Sequence, residues 1–210
     1  ALALLAHRWA ERRRGDALAL VADHGLRPES AAEAADVARV LTGQGIAVRV
    51  LRLGLPTGPG LQERARGARL AALVASAAAE GRPWVLLGHH RGDQAETLLF
   101  RALRGSGEAG LSAMAPVRDA GAALILRPLL DVPAAALEAV VAEAGLDPVR
   151  DPSNRDPRFA RIRLRQALAD PDGTGPAVTA LGMAATAFAA RRLRMEAALA
   201  ARLAQAAELR

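Results

Sequence analysis

Several residue types are missing or scarce in this chain, and their absence excludes whole classes of chemistry. It has no cysteine, no lysine and no tyrosine, and only 2 % of its residues are aromatic. Disulfides, thiolate nucleophiles and cysteine-ligated clusters are therefore excluded within these 210 residues. No apolar run approaches the roughly 20 residues of a membrane span. The opening Ala-Leu-Ala-Leu-Leu-Ala lacks a basic leader and a cleavage site, so we expect no membrane contact and a cytoplasmic location.

What is present is an apolar, strongly basic chain. Hydrophobic residues make up 51 % of it and the formal net charge is +6, with arginine as the only permanent cation. The scarcity of aromatic residues predicts a core of Ala, Leu and Val. A domain this basic favours an anionic partner, although charge alone is weak evidence for one.

The most informative stretch runs from Leu86 to Met114. Trp84 to Leu87 is a short apolar run that stops at Gly88, which predicts a buried strand. Helical spacing follows from Asp93 to Gly105. In an open α/β sheet, ligands bind beyond the carboxyl ends of the strands, so this strand–turn–helix unit would present His89, His90 and Asp93 to a ligand.

Two interpretations of this turn compete. Asp93 and Glu96 can form a capping box that closes the start of the helix. Alternatively, the two carboxylates, one helical turn apart, can bind a cation or an amine. The adjacent histidines are weaker candidates for metal ligands, because no further Cys or His stands at ligand spacing.

Strand and helix patterns alternate along the chain, which predicts an α/β fold. Ser30 is the expected N-cap of its helix, with Glu33 as its capping-box partner, and Gly15 is the expected C-cap of the first helix. The predicted strands are Ala17–Val21, Ile46–Leu53, Trp84–Leu87 and Ala122–Arg127, and the predicted helices are Ala1–Arg14, Ser30–Thr42, Leu61–Glu80, Asp93–Arg104, Pro133–Ala144, one from Asp156, and Ala177–Arg210.

Arginines gather on three helical segments. Arg66 and Arg69 share one helix face, Arg101 and Arg104 end the helix that begins near Asp93, and a third group forms a stripe. Such patterns arise without a ligand when arginines face solvent or lie at a helix C-terminus, where a positive charge is favourable. Alternatively, these arginines bind phosphate groups of a ligand. The stripe consists of Arg158, Arg161 and Arg165.

Four stretches together resemble the tRNA(Ile)-lysidine synthetase family of PP-loop ATP pyrophosphatases, up to about Gln166. They are Asp23-His24-Gly25, the arginine-rich helix around Arg69, His89-His-Arg-Gly-Asp-Gln-Ala-Glu-Thr97 with Arg104-Gly-Ser-Gly-x-x-Gly-Leu-x-x-Met114, and Arg127-Pro-Leu-Leu with Asp151-Pro-Ser-Asn-Arg-Asp156. The chain departs from the family at Gly92, where a second Asp is usual, at Leu70, where Tyr is usual, and at Ile162, where Asn is more frequent.

The resemblance implies a Rossmann-like PP-loop sheet, parallel, with helices on both faces and a helical arm after it. In this family the PP-loop lies just before the helix that opens this chain, so we expect the sheet to lack a central strand and to be interrupted. We expect a catalytic domain over 1–150, a tRNA-contacting segment and linker over 151–175, and the start of a helical region over 176–210.

The family's reaction implies a ligase that forms a carbon–nitrogen bond. ATP, with Mg2+, adenylates C2 of the wobble cytidine in a tRNA-Ile with a CAU anticodon, and free lysine then displaces AMP. Asp93 and Glu96 would bind lysine, with Asp93 and Arg69 as catalytic residues.

The remaining implied sites concern nucleotide and tRNA. Asp23, His24 and His89 would border the nucleotide, and five arginines would contact tRNA. The alternatives are a related PP-loop tRNA thiolase and a non-catalytic RNA-binding fragment; a homodimer is one possible oligomeric state. The five arginines that would contact tRNA are Arg101, Arg104, Arg158, Arg161 and Arg165.

Overall fold

The chain folds into alternating helices and strands in a computed structural model that describes residues 1–23, 25, 29–54, 58, 61–147 and 160–208. The predicted α/β class and the long C-terminal helix are confirmed. The elements are α1 (Leu2–Arg12), β1 (Leu18–Asp23), α2 (Ser30–Gly43), β2 (Ala47–Arg52), α3 (Leu61–Ala79), β3 (Trp84–Leu86), α4 (Arg91–Leu103), α5 (Glu108–Leu111), β4 (Val117–Asp119), β5 (Leu124–Leu126), α6 (Ala134–Glu143), α7 (Ala160–Leu168) and α8 (Pro176–Glu208).

These elements divide into two compact units. The first comprises residues 1–87 and 117–126, and the second comprises residues 88–116 and 127–210. This division reflects which residues pack together. The predicted boundaries at 150 and 175 separate functional segments instead, and those boundaries stay a prediction.

The strands of the first unit form two sheets. β1 pairs with β2 in parallel, with Leu18 opposite Ala47, and β3 pairs with β5 in parallel, with Trp84 opposite Leu124. The sheets are separate among the described residues, which agrees with the expected interruption. β4, which the sequence did not predict, adds to β5 in antiparallel orientation, so the sheet is not purely parallel.

The core of the first unit is built from aliphatic side chains, as the composition predicts. Leu73 and Ala77 of α3 are one helical turn apart and pack with Val85 of β3 and with Ala123. The cluster is extended by partly buried aliphatic residues, namely Leu20, Leu51, Val74 and Leu87.

The second unit is helical, and its core lies between α4 and α8. Leu98 of α4 packs with Ala113 and with the fully buried Ala185 of α8. A Cβ on Gly182 would lie 3.3 Å from Arg91 Cγ, so glycine at this position allows the two helices to approach closely. Small residues therefore have a packing role in α8.

Two predicted helix ends are wrong. The N-cap of α2 is Glu29, without a side-chain cap, because the Ser30 hydroxyl donates instead to Asp23 Oδ1 at 2.7 Å. At the end of α1, the residue with positive φ is Arg14, at 57°, so the helix has already ended when the chain reaches Gly15.

The distal half of α8 exposes large apolar side chains, including Leu193, Met195, Leu199 and Leu203. Even so, none of the helices in the described part of the chain combines the length and the apolar character needed to cross a membrane.

Candidate functional site

The turn that precedes α4 closes the helix with a capping box different from the predicted one. Gly92 N–H donates to His90 Nδ1 at 3.1 Å, and His90 N–H donates to Asp93 Oδ2 at 3.0 Å. His90 is thus the N-cap and Asp93 its partner. The predicted Asp93–Glu96 box is wrong, because Glu96 lies one turn further along and is directed to another group.

Glu96 is the centre of the site. Only 4 % of its surface is exposed, and its two carboxylate oxygens accept from Arg165 of α7, Oε1 from Nε at 2.5 Å and Oε2 from Nη2 at 3.2 Å. Asp93 Oδ1 lies 3.7 Å from the same Nη2. The hydrogen bond to Glu96 raises the pKa of Arg165 above its usual value. The two carboxylates therefore share one cation.

A small cavity adjoins this cluster within the second unit. It measures about 30 Å³, which is room for about two water molecules. Its wall includes Glu96, Arg165, His90, Gly92, Leu168 and Val178.

Gly92, the departure from the family pattern, has a structural reason. A Cβ at this position would lie 2.9 Å from His90 Cε1 and 3.2 Å from Nδ1. A side chain at residue 92 would therefore require the imidazole to shift from its capping position. Glycine at this position fits the capping role of His90.

Sequence reasoning missed two polar side chains that hold the segment around Met114, and a third that holds the backbone at Asp131. Gln94 donates from Nε2 to Met114 O at 3.0 Å and accepts at Oε1 from Met114 N–H at 2.8 Å. Arg127 Nη1 donates to Ala115 O at 2.8 Å. Arg91 Nε donates to Asp131 O at 3.1 Å. A polar Gln inside an apolar helix face was the signal available for Gln94.

The two arginines at the end of α4 have different surroundings. Arg101 Nη1 donates to Gly110 O at 2.8 Å and to Ala113 O at 2.7 Å, so it ties α4 to the end of α5. Arg104 lies over the ring of Phe100, 4.5 Å from its centre, and is exposed. Their assignment to tRNA stays a prediction.

The remaining predicted tRNA arginines lie on or before α7. Arg161 is half-buried, Arg165 is bound to Glu96, and Arg158 lies outside the described residues. The predicted stripe is therefore not a uniform solvated face.

In the first unit, Asp23 ends β1 and is buried. Its Oδ1 accepts from Gly25 N–H at 2.9 Å and from the Ser30 hydroxyl, so the carboxylate links both residues to the end of β1. Arg69 is exposed on α3. His89, in the second unit, is half-buried, and His24 lies outside the described residues. Nucleotide binding by these residues stays a prediction.

A protein-only metal site is not formed by the described residues, because nowhere in those ranges do three His, Cys, Asp or Glu side chains come close enough to hold an ion. Mg2+ commonly takes one or two carboxylates and completes its shell with phosphates and water.

Comparison with known proteins supports the resemblance. A family model described as a PP-loop domain matches residues 1–171. The tRNA(Ile)-lysidine synthase of Novosphingobium aromaticivorans is 51 % identical over 150 residues, covering 70 % of this chain and 46 % of that protein. The enzyme of the same name from Rhodopseudomonas palustris is 48 % identical over 171 residues, covering 80 % and 49 %.

A solved structure, the U34-tRNA thiolase NcsA of Methanococcus maripaludis with its [4Fe-4S] cluster, has a similar fold. It superposes with a TM-score of 0.65 at 13 % identity, covering 91 % of this chain and 68 % of that one. The chain spans about half the length of the curated relatives it matches. Because the family model covers 171 of its 210 residues, the chain belongs to the PP-loop domain family.

Proposed function

We propose that this chain is the catalytic part of a tRNA(Ile)-lysidine synthetase. The observation that carries the proposal is the acidic pair on α4. A buried Glu96 and a neighbouring Asp93 together form a site for a cation, which in this structure is the guanidinium of Arg165. The resemblance assigns the lysine substrate to these two residues. The matches to enzymes of this name, at 51 % and 48 % identity, support it.

In the proposed reaction, the O2 oxygen of the wobble cytidine attacks the α-phosphorus of ATP, and pyrophosphate leaves. The lysine amine then attacks C2, the bond from C2 to the AMP oxygen breaks, and the amine loses a proton. Arg69 would stabilise negative charge on the phosphates. ATP brings Mg2+ as the counter-ion of its phosphates. Asp93 and Glu96 hold the ammonium group of lysine, which orients its other end for attack.

The basic surface serves the tRNA in this proposal. The formal net charge of +6 and the arginines Arg161 and Arg165 of α7 suit a polyanionic substrate whose binding weakens as salt rises. The tRNA-Ile with a CAU anticodon is the partner that the family implies. A cytoplasmic location follows from the same substrate.

A thiolase is the competing function, since the fold resembles that of the NcsA thiolase. This likeness concerns the fold alone. The present chain offers no cysteine as a cluster ligand or a persulfide carrier, and the stretch Asp151–Asp156 favours lysidine synthesis.

The test is incorporation of labelled lysine into a CAU-anticodon tRNA-Ile transcript, with ATP and Mg2+, by protein expressed from its complete reading frame. We expect label at the anticodon, and its loss in Asp93→Asn and Glu96→Gln. Asp147→Asn and Glu143→Gln are matched controls, since both residues are exposed. Label that depends on sulfide rather than lysine would establish the thiolase instead, and tRNA binding without ATP turnover would establish an RNA-binding role.

A further inference from the structure

Arg165 occupies the position that the proposed function gives to lysine. Its Nε and Nη2 bind both oxygens of Glu96, and its Nη2 also lies 3.7 Å from Asp93 Oδ1. The other oxygen of Asp93 caps α4. Both carboxylates are thus already engaged with a cation that belongs to the protein.

A lysine ammonium that reaches Glu96 competes with the guanidinium, since both carboxylate oxygens of Glu96 already accept hydrogen bonds from Arg165. The small pocket beside the pair is lined by both side chains, so the two cations would meet at the same carboxylate. Since Glu96 is buried, the exchange of one cation for another keeps its charge compensated, whereas simple departure of Arg165 would leave a buried charge alone.

Arg165 also has a route out of the site. Its side chain is 46 % exposed, and within the ranges that the structure describes no hydrogen bond engages Nη1. It lies on α7, whose sequence Ala-Arg-Ile-Arg-Leu-Arg-Gln-Ala-Leu contains three arginines and no acidic residue. A guanidinium on such a helix binds phosphate oxygens bidentately, as it binds a carboxylate.

We propose that Arg165 is a resident cation that holds the lysine site closed until a tRNA phosphate draws it away from Glu96. The proposal rests on the proposed function. It assigns to one residue both the observed ion pair and the expected contact with tRNA, at different stages of the reaction. Lysine would then bind after tRNA, and by reciprocity bound lysine would strengthen tRNA binding by the same factor.

The experiment measures binding of labelled lysine by equilibrium dialysis at pH 8 without ATP, on protein from the complete reading frame, with and without a CAU-anticodon tRNA-Ile transcript. In the unmodified protein we expect tRNA to strengthen lysine binding about tenfold, within the usual range of coupling between sites. Equal lysine affinity with and without tRNA overturns the proposal, and this arm needs no variant.

The second arm compares Arg165→Gln with Arg163→Gln, which removes the same charge from an exposed position of the same helix. We expect Arg165→Gln alone to bind lysine without tRNA as tightly as the unmodified protein binds it with tRNA. Weaker lysine binding in Arg165→Gln under both conditions overturns the proposal, because Arg165 would then be a ligand of lysine itself.

The two proposals fail differently. Lysine binding in the presence of tRNA supports the proposed function whatever Arg165 does. Absence of lysine binding under both conditions overturns both proposals.

Discussion

Gln94 allows the sharpest test of how the motif around α4 supports the site. Its amide makes two reciprocal hydrogen bonds with the backbone of Met114, at 3.0 and 2.8 Å, and both residues are buried. Gln94→Ala leaves the Met114 N–H and C=O without these partners. A buried backbone group without a hydrogen bond costs roughly 1–3 kcal/mol, so the variant should lose about 2–4 kcal/mol of local stability.

Native-state hydrogen exchange at the Met114 amide measures this loss directly, since it reports local opening. A loss of about 2–4 kcal/mol corresponds to exchange about 30- to 1000-fold faster. Gln205→Ala is the matched control, because Gln205 is an exposed residue of α8, and it should leave exchange at Met114 unchanged. Unchanged exchange in Gln94→Ala would refute the assignment of Gln94 as the residue that holds this segment.

Two further predictions concern packing and pH. Gly110→Ala places a Cβ 2.7 Å from Ser106 Cβ and should lower the free energy of unfolding by about 1–3 kcal/mol, measured by thermal denaturation. Gly67→Ala, with nothing within 4 Å, should raise it by up to about 1 kcal/mol, and equal effects would contradict the packing argument. The hydrogen bond from Arg82 lowers the pKa of Asp16 below 3.8. This pair therefore stabilises the fold above that pH and loses its effect as pH falls through the lowered value. The stability difference between the unmodified protein and Asp16→Asn should be constant from about pH 5 to 8 and vanish in acid; a difference that grows in acid would contradict the assignment.

Local patterns were enough to predict the fold class and most helices. Apolar periodicity located α2, α3 and α4, because each buries a regular face, whereas α8 was located by its long run of Ala, Leu, Arg and Glu without a helix breaker. The short elements α5 and β4 carry too few residues for a period to be visible, and they are determined by contacts distant in sequence. The antiparallel pairing of β4 with β5 belongs to this class.

The candidate site was predicted in composition but not in arrangement. The motif indicated Asp93 and Glu96 together, yet a capping box and a cation site both fit their spacing. The structure divides these roles, since His90 and Asp93 form the cap and Glu96 binds Arg165. Arg165 lies 69 residues from Glu96, and no local pattern in the sequence can indicate a partner so distant.

If the acidic pair serves lysine rather than ATP, its removal should affect only one of the two half-reactions, and these can be measured separately. Glu96→Gln protein from the complete reading frame is mixed with tRNA and ATP, and adenylated tRNA is quantified before and after lysine is added. We expect adenylated tRNA to accumulate at the normal rate, while lysine transfer falls by about a hundredfold or more, because a charged hydrogen-bond partner of the substrate is removed. Loss of adenylation to the same extent as lysine transfer would contradict it.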